Sequence, residues 1–314
     1  YVFVENERAT VAPGEMIADS KMRRHGGNGF WRAGAIAPGF KHVDTLPTLA
    51  ERAERFVKRQ TAAKPFFLYL PLTAPHTPWM PVDAFRGRTS VGYYGDFVAQ
   101  VDATVGRLLD VLDETKLTDN TLVIFTSDNG AHWLPGDIDE WGHRANANWR
   151  GQKADIWEGG HRVPFIVCWP GVAKAGSASD QLVCLTDVMA TLAELLDEKL
   201  PAGAGEDSFS FLSVLDGKSP TQPLREAIVH HSSDGSFAIR QGPWKLAMKL
   251  GSHGFSEPKH VEPKPDGPHG QLYNLADDPR EQNNRWLAEP QIVARLSRLL
   301  ADYRDRGHSR PQPE

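Results

Sequence analysis

Three short, largely apolar runs alternate with helix-like segments along the first two thirds of the chain. The runs are Pro65–Leu70, Thr121–Thr126 and Val163–Cys168. Continuous runs of this length, bounded by turn residues, are typical of strands buried on both faces. Between the runs, apolar side chains recur at helical spacing over residues 46–57, 93–117 and 182–196. The alternation predicts the α/β class, with a mixed or mainly parallel sheet sandwiched by helices.

The pattern changes near residue 205. Three strand-like segments follow at close spacing, over residues 227–231, 236–240 and 244–250, with Asp234-Gly235 and Gly242-Pro243 as turn signals. They predict an antiparallel sheet, and the apolar spacing over residues 289–304 predicts a helix after it. We therefore expect a partial α/β catalytic domain over residues 1–204 and a small α+β subdomain over residues 205–314.

Composition excludes several classes of partner. The net charge of −5 over 314 residues leaves no basic footprint for nucleic acid or anionic membrane. No apolar run approaches the roughly 20 residues that span a bilayer. Cys168 and Cys184 lie in apolar contexts, which favours buried free thiols. The opening Tyr1-Val-Phe-Val resembles the middle of a strand, so we expect the chain to be part of a longer protein.

The second apolar run ends abruptly at Asp128-Asn129-Gly130. Ligands bind just outside the carboxyl ends of strands in open α/β sheets. A carboxylate beside an amide there offers hard oxygen ligands, which suit Ca²⁺ or Mg²⁺. The alternative is a plain Asn-Gly turn with an aspartate as helix cap.

Two further segments carry residues with suitable chemistry. His76 follows the first run in a loop flanked by prolines, which restrict its backbone. The segment 149–164 brings Arg150, Lys153, His161 and Arg162 among three glycines, an arrangement that an anionic group such as sulfate or phosphate would need. A solvated loop histidine and a surface lysine are the simpler readings, and Glu158 could pair with Arg162 structurally.

These motifs, in this order, resemble the type I sulfatases, which share the alkaline-phosphatase-like fold. The matching stretches are Phe66-Phe-Leu-Tyr-Leu-Pro-Leu-Thr-Ala-Pro-His-Thr-Pro78, Asp119 to His132, Trp149-Arg-Gly-Gln-Lys153, Glu158 to Val167 with Trp169-Pro-Gly171, and Gln271 to Pro279 followed by Glu281 and Asn284. The resemblance covers nearly the whole chain from about residue 44. Each piece alone is moderately specific, and the ordered set is highly specific.

The resemblance implies a function and a role for each matching residue. Asp128 and Asn129 would be two of the Ca²⁺ ligands, and Lys153 and His76 would bind the sulfate of a sulfate ester. The loop after Asn129 supplies further suggested substrate-pocket residues, which are His132, Trp133, His143 and Arg144. The family also implies export to the periplasm or the outside of the cell.

A sulfated carbohydrate is the expected substrate, rather than a small aryl or steroid sulfate. Four tryptophans near the expected pocket would suit stacking on sugar rings, namely Trp133, Trp141, Trp149 and Trp157. Burial in the core is an equally good explanation for some of them.

Two family features are absent from the sequence. The formylglycine nucleophile of sulfatases is made from a Cys/Ser-x-Pro-x-Arg motif, and the nearest match, Ser256-Glu-Pro-Lys-His260, lacks the arginine. The family's second Lys and His pair also has no clear counterpart. We expect these parts in a segment preceding Tyr1, and we expect the chain alone to be inactive.

Two other functions stay open at this point. The first is a phosphomonoesterase or phosphodiesterase of the same superfold, although such enzymes usually hold zinc through several histidines. The second is a non-catalytic homologue that binds sulfated glycans through its basic pocket.

Overall fold

The computed structural model describes residues 1–22, 24, 30–217 and 220–311. The strands are β1 Val4–Glu5, β2 Arg8–Ala9, β3 Glu15–Ile17, β4 Gly34–Ile36, β5 Val123–Thr126, β6 Phe165–Cys168, β7 Ile228–His231, β8 Phe237–Gln241, β9 Trp244–Ala247 and β10 Gln271–Asn274. The α-helices are α1 Thr45–Val57, α2 Gly92–Glu114, α3 Pro135–Trp141, α4 Glu158–His161, α5 Asp187–Leu195 and α6 Pro290–Arg306. Short 3-10 helices lie at His42–Asp44, Asp83–Phe85, Thr118–Asn120 and Leu212–Val214.

The chain forms two compact units. The first contains residues 1–121 and 135–143, and the second contains residues 122–134 and 144–314. The domain boundary near residue 205 stays a prediction. None of the helices in the described ranges is both long and apolar enough to cross a membrane.

The first unit is built around the pair α1 and α2. Helix α1 buries one face, formed by Leu46, Ala50, Ala53 and Val57, because these residues recur every three or four positions. Helix α2 begins and ends close to the range that its apolar spacing predicts. Two small antiparallel pairs, β1 with β2 and β3 with β4, complete the unit.

The apolar run at 65–70 does not form a strand. Its backbone pairs with no strand in the described ranges, and Phe67 and Tyr69 are 71% and 76% exposed. Alternate residues Phe66 and Leu68 are half-buried, so the segment has the side-chain alternation of a strand without the hydrogen-bonded neighbour. The prediction of a strand is wrong here. The apolar composition indicates an extended segment, but a strand also needs a hydrogen-bonded neighbour, which composition does not show.

In the second unit, β5 and β6 form an antiparallel pair, with Val123 opposite Cys168 and Thr126 opposite Phe165. All strand pairings in the described ranges are antiparallel. The parallel direction expected for these strands is therefore not found there, because an apolar run indicates burial and carries no information on direction. Cys168 is exposed at the end of β6 and Cys184 is half-buried. Both thiols are free, as predicted, but Cys168 is not buried.

A four-stranded antiparallel sheet, in the order β10-β9-β8-β7, forms the second part of this unit. One face packs under α6 through a cluster of buried side chains, which are Ala227, Ile239, Leu246, Leu272, Leu296 and Tyr303. The other face presents Ala238 and Ala247 to Ile156 and Trp157. The three predicted strands and the predicted helix are confirmed, and β10 is a fourth strand that the spacing did not predict.

Helix α5 begins at Asp187, five residues later than the apolar spacing predicts. The Asp187 carboxylate accepts hydrogen bonds from the backbone N–H groups of Cys184, at 2.7 Å, and Phe209, at 2.9 Å. It also pairs with the buried guanidinium of Arg225. These contacts hold the preceding residues in a turn, so the apolar side chains before Asp187 lie outside the helix.

Candidate functional site

The loop after β5 presents two oxygen ligands. Asp128 is exposed, and its nearest described hydrogen-bond partner is the Ser127 hydroxyl, 3.5 Å from Oδ1. Asn129 donates from Nδ2 to the Gly130 carbonyl oxygen at 3.0 Å, and its Oδ1 accepts no hydrogen bond from a described residue. Both oxygens are therefore available to a hard cation such as Ca²⁺, which takes about 6 to 8 oxygen ligands. The chemistry of this donor set fits calcium, of which it would supply part of the coordination.

Gly130 lets this loop lie directly against the segment that carries Lys153. Its N–H donates to the Gly160 carbonyl oxygen at 3.0 Å, and a Cβ atom at Gly130 would overlap the Gly159 carbonyl group. A Cβ at Gly159 would overlap the carbonyl oxygen of Gly151 in turn. Only glycine permits backbones to approach this closely, so the motif is more than a common turn.

Asn146 joins the two segments with its side chain. Its Oδ1 accepts the Ala131 N–H at 2.7 Å, and its Nδ2 donates to the Ala131 carbonyl oxygen at 2.8 Å. The same carbonyl oxygen accepts the backbone N–H of Lys153 at 3.2 Å. This one hydrogen bond holds the backbone of Lys153 against Ala131, which lies two residues after Asn129. Its half-buried side chain forms no ion pair with a described residue, which leaves the ammonium group free for an anion.

Arg150 has a structural role rather than the anion-binding role that the sequence suggests. Its guanidinium lies 3.7 Å from the ring centroid of Trp157. It donates to the backbone carbonyl of Glu281 at 2.6 Å and to the Tyr273 hydroxyl at 3.2 Å. Arginine on an aromatic face with fixed hydrogen bonds stabilises packing. Arg150 therefore connects the site segment to β10.

A largely buried charge cluster lies behind this segment. It consists of the buried Glu158, Lys245 and Glu281 with the half-buried Arg240 and the exposed Arg162. Lys245 is 1% exposed, and its ammonium lies 2.9 Å from a carboxylate oxygen of both Glu158 and Glu281. Arg162 contacts Glu158 at 2.6 Å, which confirms the structural pairing that the sequence left open. The Glu281 carboxylate also accepts the Glu158 backbone N–H at 2.7 Å.

The two carboxyl groups of the cluster differ in pKa. Burial acts to raise the pKa of Glu158, but Lys245 and Arg162 outweigh it and lower that pKa well below its ordinary value. Burial raises the pKa of Glu281 above its ordinary value, against the opposing effect of Lys245. Glu158 is thus the charged partner that holds Arg162 and Lys245 in place.

His161 carries no positive charge into the site. Its ring lies 4.2 Å, centroid to centroid, from that of His230. Burial, and then the nearby Lys245 ammonium, lower the pKa of His161 to about 4. The same two causes lower the pKa of His230 well below its ordinary value. The grouping of His161 with the cationic residues is therefore wrong at neutral pH, since both imidazoles are neutral there.

The remaining predicted residues fall into both units. In the second unit, His132 is exposed with its ring 5.2 Å from that of Phe255, Arg144 is exposed, and Trp133 is only 4% exposed. His76 and His143 belong to the first unit, and both are exposed. The His76 Nδ1 donates to the Thr77 carbonyl oxygen at 2.8 Å. Among the predicted residues of the second unit, the segments that carry Asp128, Asn129 and Lys153 are joined by the hydrogen bond from the Lys153 N–H to the Ala131 carbonyl oxygen.

Two of the four tryptophans predicted for sugar stacking are core residues. Trp133 and Trp157 are 4% and 2% exposed, so burial explains them. Trp149 is half-buried with the Arg162 guanidinium 4.1 Å from its ring centroid, and Trp141 is 37% exposed.

Sequence reasoning missed the residues that position the site. Asn146 lies in a polar loop with no motif around it, and Lys245 lies in a strand where an apolar residue is the rule. Glu281 was visible only as part of the C-terminal stretch 271–284. The signal that could have found Lys245 is a lone charge in the strand-like segment 244–250, since buried charges need partners.

Known proteins are similar to this chain along most of its length. The family model described as Sulfatase matches residues 42–198. An N-acetylgalactosamine-6-O-sulfatase of Bacteroides thetaiotaomicron is 35% identical over 281 residues, which cover 88% of this chain and 54% of that protein. The human steryl-sulfatase is 31% identical over 294 residues, which cover 85% of this chain and 48% of that protein.

A solved structure from glycosaminoglycan metabolism by Bacteroides thetaiotaomicron superposes with a TM-score of 0.72. It is 34% identical, and the match covers 84% of this chain and 55% of that one. The fold is thus the alkaline-phosphatase-like α/β class, as the sequence predicts. The chain belongs to the sulfatase family. It spans about half the length of the curated relatives it matches.

Proposed function

We propose that this chain forms part of a sulfuric ester hydrolase that acts on sulfated carbohydrate. The observation that carries the proposal is the position of Lys153. Its ammonium group has no ion partner among the described residues. Its backbone N–H donates at 3.2 Å to the Ala131 carbonyl oxygen, in the loop that presents Asp128 and Asn129. A bound cation and a lysine ammonium group together would suit a sulfate group, because positive charges near several of its oxygens stabilise its negative charge.

The residues act as follows in this proposal. Lys153 donates to sulfate oxygens and stabilises the negative charge that develops as the S–O bond breaks. For His76, which lies in the other compact unit, the sulfate-binding role implied by the family resemblance stays a prediction. Asp128 and Asn129 would hold Ca²⁺, which would stabilise the same charge electrostatically. The Lys245 ion pairs keep Glu158, and with it the glycines after it, in position.

The proposed nucleophile is a formylglycine outside these 314 residues, because the sequence contains no Cys/Ser-x-Pro-x-Arg motif. We therefore expect that the chain alone hydrolyses no sulfate ester, while a longer form carrying the motif does. Catalytic turnover of an aryl sulfate by the chain alone would disprove this division of labour.

The choice of carbohydrate rests on one relative and on exposed aromatic and polar side chains. The Bacteroides thetaiotaomicron relative is named an N-acetylgalactosamine-6-O-sulfatase. His132 and Arg144 are exposed and are the proposed contacts to the sugar, and the same role for His143, which lies in the other compact unit, stays a prediction. Trp133 completes the proposed pocket from its buried position by supporting the loop. Export to the periplasm or beyond follows from the family, because sulfated glycans occur outside the cytoplasm.

The test compares substrates on a full-length form. We expect hydrolysis of 6-sulfated N-acetylgalactosamine, and we expect Lys153→Ala to abolish it while the exposed Lys264→Ala leaves it unchanged. Hydrolysis of an aryl phosphate in preference to all sulfate esters would favour a phosphatase. Saturable binding of sulfated glycan without any turnover would favour a non-catalytic homologue.

A further inference from the structure

A second group of ligand-type side chains lies outside the proposed sulfate site. Asp234 lies in the turn between β7 and β8, and His253 and His260 lie in the loop that follows β9. One ligand atom from each of the three lies within 4.8 Å of the others. None of the three has a role in the function proposed above.

His253 is oriented as a metal-binding histidine is oriented. It is 7% exposed, and its Nε2 lies 3.0 Å from the backbone carbonyl oxygen of Leu250. A carbonyl oxygen only accepts, so Nε2 carries the proton, and a neutral ring then has its lone pair on Nδ1. Metal-ligating histidines typically donate their other ring N–H to a backbone carbonyl or carboxylate in this way.

The Nδ1 atom of His253 faces the Oδ2 atom of Asp234 at 2.6 Å. A lone pair and a carboxylate oxygen repel each other at this distance, and a cation bound by both atoms would relieve that repulsion. Zinc bonds of about 2.0 Å to each atom would place the two atoms roughly 3 Å apart. The pair therefore needs only a small side-chain shift to share one metal ion.

The other oxygen of Asp234 is fixed by its neighbours. Its Oδ1 accepts hydrogen bonds from the Ser232 hydroxyl at 2.7 Å and from the Ser236 N–H at 3.0 Å. These bonds hold the carboxylate with Oδ2 turned towards His253. Hydrogen-bonded carboxylates of this kind are typical of metal ligands.

His260 approaches from the same loop. Its ring lies 4.7 Å, centroid to centroid, from that of His253, and it is exposed, so its side chain can rotate to present either nitrogen. The loop is closed by backbone hydrogen bonds from His253 to Lys259 and from Ser252 to Pro258, both at 2.9 Å. The main chain of His260 is thus held close to the pair.

We propose that Asp234, His253 and His260 bind a divalent transition metal, with Zn²⁺ as the best match. Two imidazoles and one carboxylate are a common set of three protein ligands for zinc, with a further position for water. This donor set differs from the oxygen pair of Asp128 and Asn129, since imidazole favours zinc over calcium. The two sites select different metals.

The metal would connect the β7–β8 turn to the loop that packs beside Lys153. Phe255 and Ser256 donate their backbone N–H groups to Asp155 at 2.7 and 3.0 Å. Ser233, next to Asp234, donates its N–H to the Ala154 carbonyl oxygen at 2.9 Å. All three bonds reach residues immediately after Lys153, so the metal would stabilise the surroundings of that lysine.

The test is calorimetric titration of the untagged, chelator-treated chain with ZnCl₂ in the presence of excess CaCl₂. We expect a saturable site of one equivalent that calcium does not displace. His260→Ala removes an exposed ligand and should weaken zinc binding by about 10-fold or more. Exposed His269 in the same loop is the matched control, and His269→Ala should bind as the unaltered chain does.

Asp128→Ala separates the two sites, because it should leave the zinc equivalent intact. Substitution with Co²⁺ gives a second measurement, in which ligand-field absorption should appear with the unaltered chain and diminish with His260→Ala. The absence of a saturable zinc site, or zinc binding that His260→Ala leaves unchanged, would overturn the proposal.

Discussion

The loop after β5 and the four-stranded sheet belong to the same compact unit, but different interactions stabilise them. The loop is held by backbone contacts between glycines and by the side chain of Asn146. The sheet is held by apolar side chains under α6 and by the buried pairs of Lys245. The difference shows how a site keeps its charged side chains free for a ligand, because the main chain provides the local structure.

The largest expected effect tests the sheet side of this comparison. Lys245→Met leaves Glu158 and Glu281 buried without their common partner, and breaking a buried pair costs about 3–5 kcal/mol. Urea unfolding of the chain at pH 7 measures the loss. The exposed Lys249→Met is the matched control and should change the free energy of unfolding by less than about 0.5 kcal/mol. Equal effects of the two substitutions would contradict a role for the buried charge cluster in stability.

The next effect tests the loop side. Gly130→Ala forces a Cβ atom into the Gly159 carbonyl group, and overpacking of this kind costs about 1–3 kcal/mol. The control is Gly106→Ala, since Gly106 lies inside α2 with no atom within 4 Å of its added Cβ. Alanine is the better helix former, so Gly106→Ala should be neutral or stabilising. Thermal unfolding that ranks the two variants the other way would disprove the glycine contact.

A smaller effect concerns the loss of folding stability at acidic pH. Burial lowers the pKa of His161 to about 4 and also lowers that of His230, so the unfolded chain binds these protons first as the pH falls below about 6.5. Stability present above that pH is therefore lost on acidification, by about 1.4 kcal/mol per pH unit for each imidazole. Lys245 opposes protonation of both rings and Glu158 favours it.

The measurement is urea unfolding at pH 6.5 and pH 5, a range above the ordinary pKa of the carboxyl groups. The variant His161→Asn with His230→Asn keeps polar groups at both positions and should lose less stability over the same range. An unchanged pH dependence in that variant would show that other groups titrate.

The smallest effect on stability should accompany a large effect on binding. Lys153→Ala removes a side chain without an ion partner in the described ranges, so the free energy of unfolding should change by less than about 0.5 kcal/mol. Sulfate affinity of a full-length form should fall sharply in the same variant, measured by calorimetry with a sulfated sugar. A substantial loss of stability would mean that Lys153 is structural and would weaken the proposed site.

Much of the local structure could be predicted from the sequence, because apolar spacing reports burial directly. Helices α2 and α6 and strands β7 to β9 follow their patterns closely. The antiparallel direction of β6 and the missing partner of residues 65–70 depend on contacts distant in the chain, which a local pattern does not contain. The spacing of a helix likewise could not show that Asp187 is engaged with Cys184, Phe209 and Arg225.

The site was partly predictable for a similar reason. Asp128, Asn129 and Lys153 lie in short motifs whose order along the chain is informative. In the sequence, Arg150 and His161 look as suitable for binding an anion as Lys153 does. Their surroundings distinguish them, because the Arg150 guanidinium contacts Trp157 and the His161 imidazole is neutral. Residue type predicts available chemistry, while the surroundings decide whether that chemistry is used.

The approach of Gly130 to Gly159 has a consequence for protein engineering. Positions without a side chain determine the spacing between the loop that presents Asp128 and the segment that presents Lys153. A library that randomises these glycines would lose folded members before any selection for new substrates begins. Diversity is better introduced at the exposed residues 262–266, where side chains can change while the backbone contacts of the active region remain as they are.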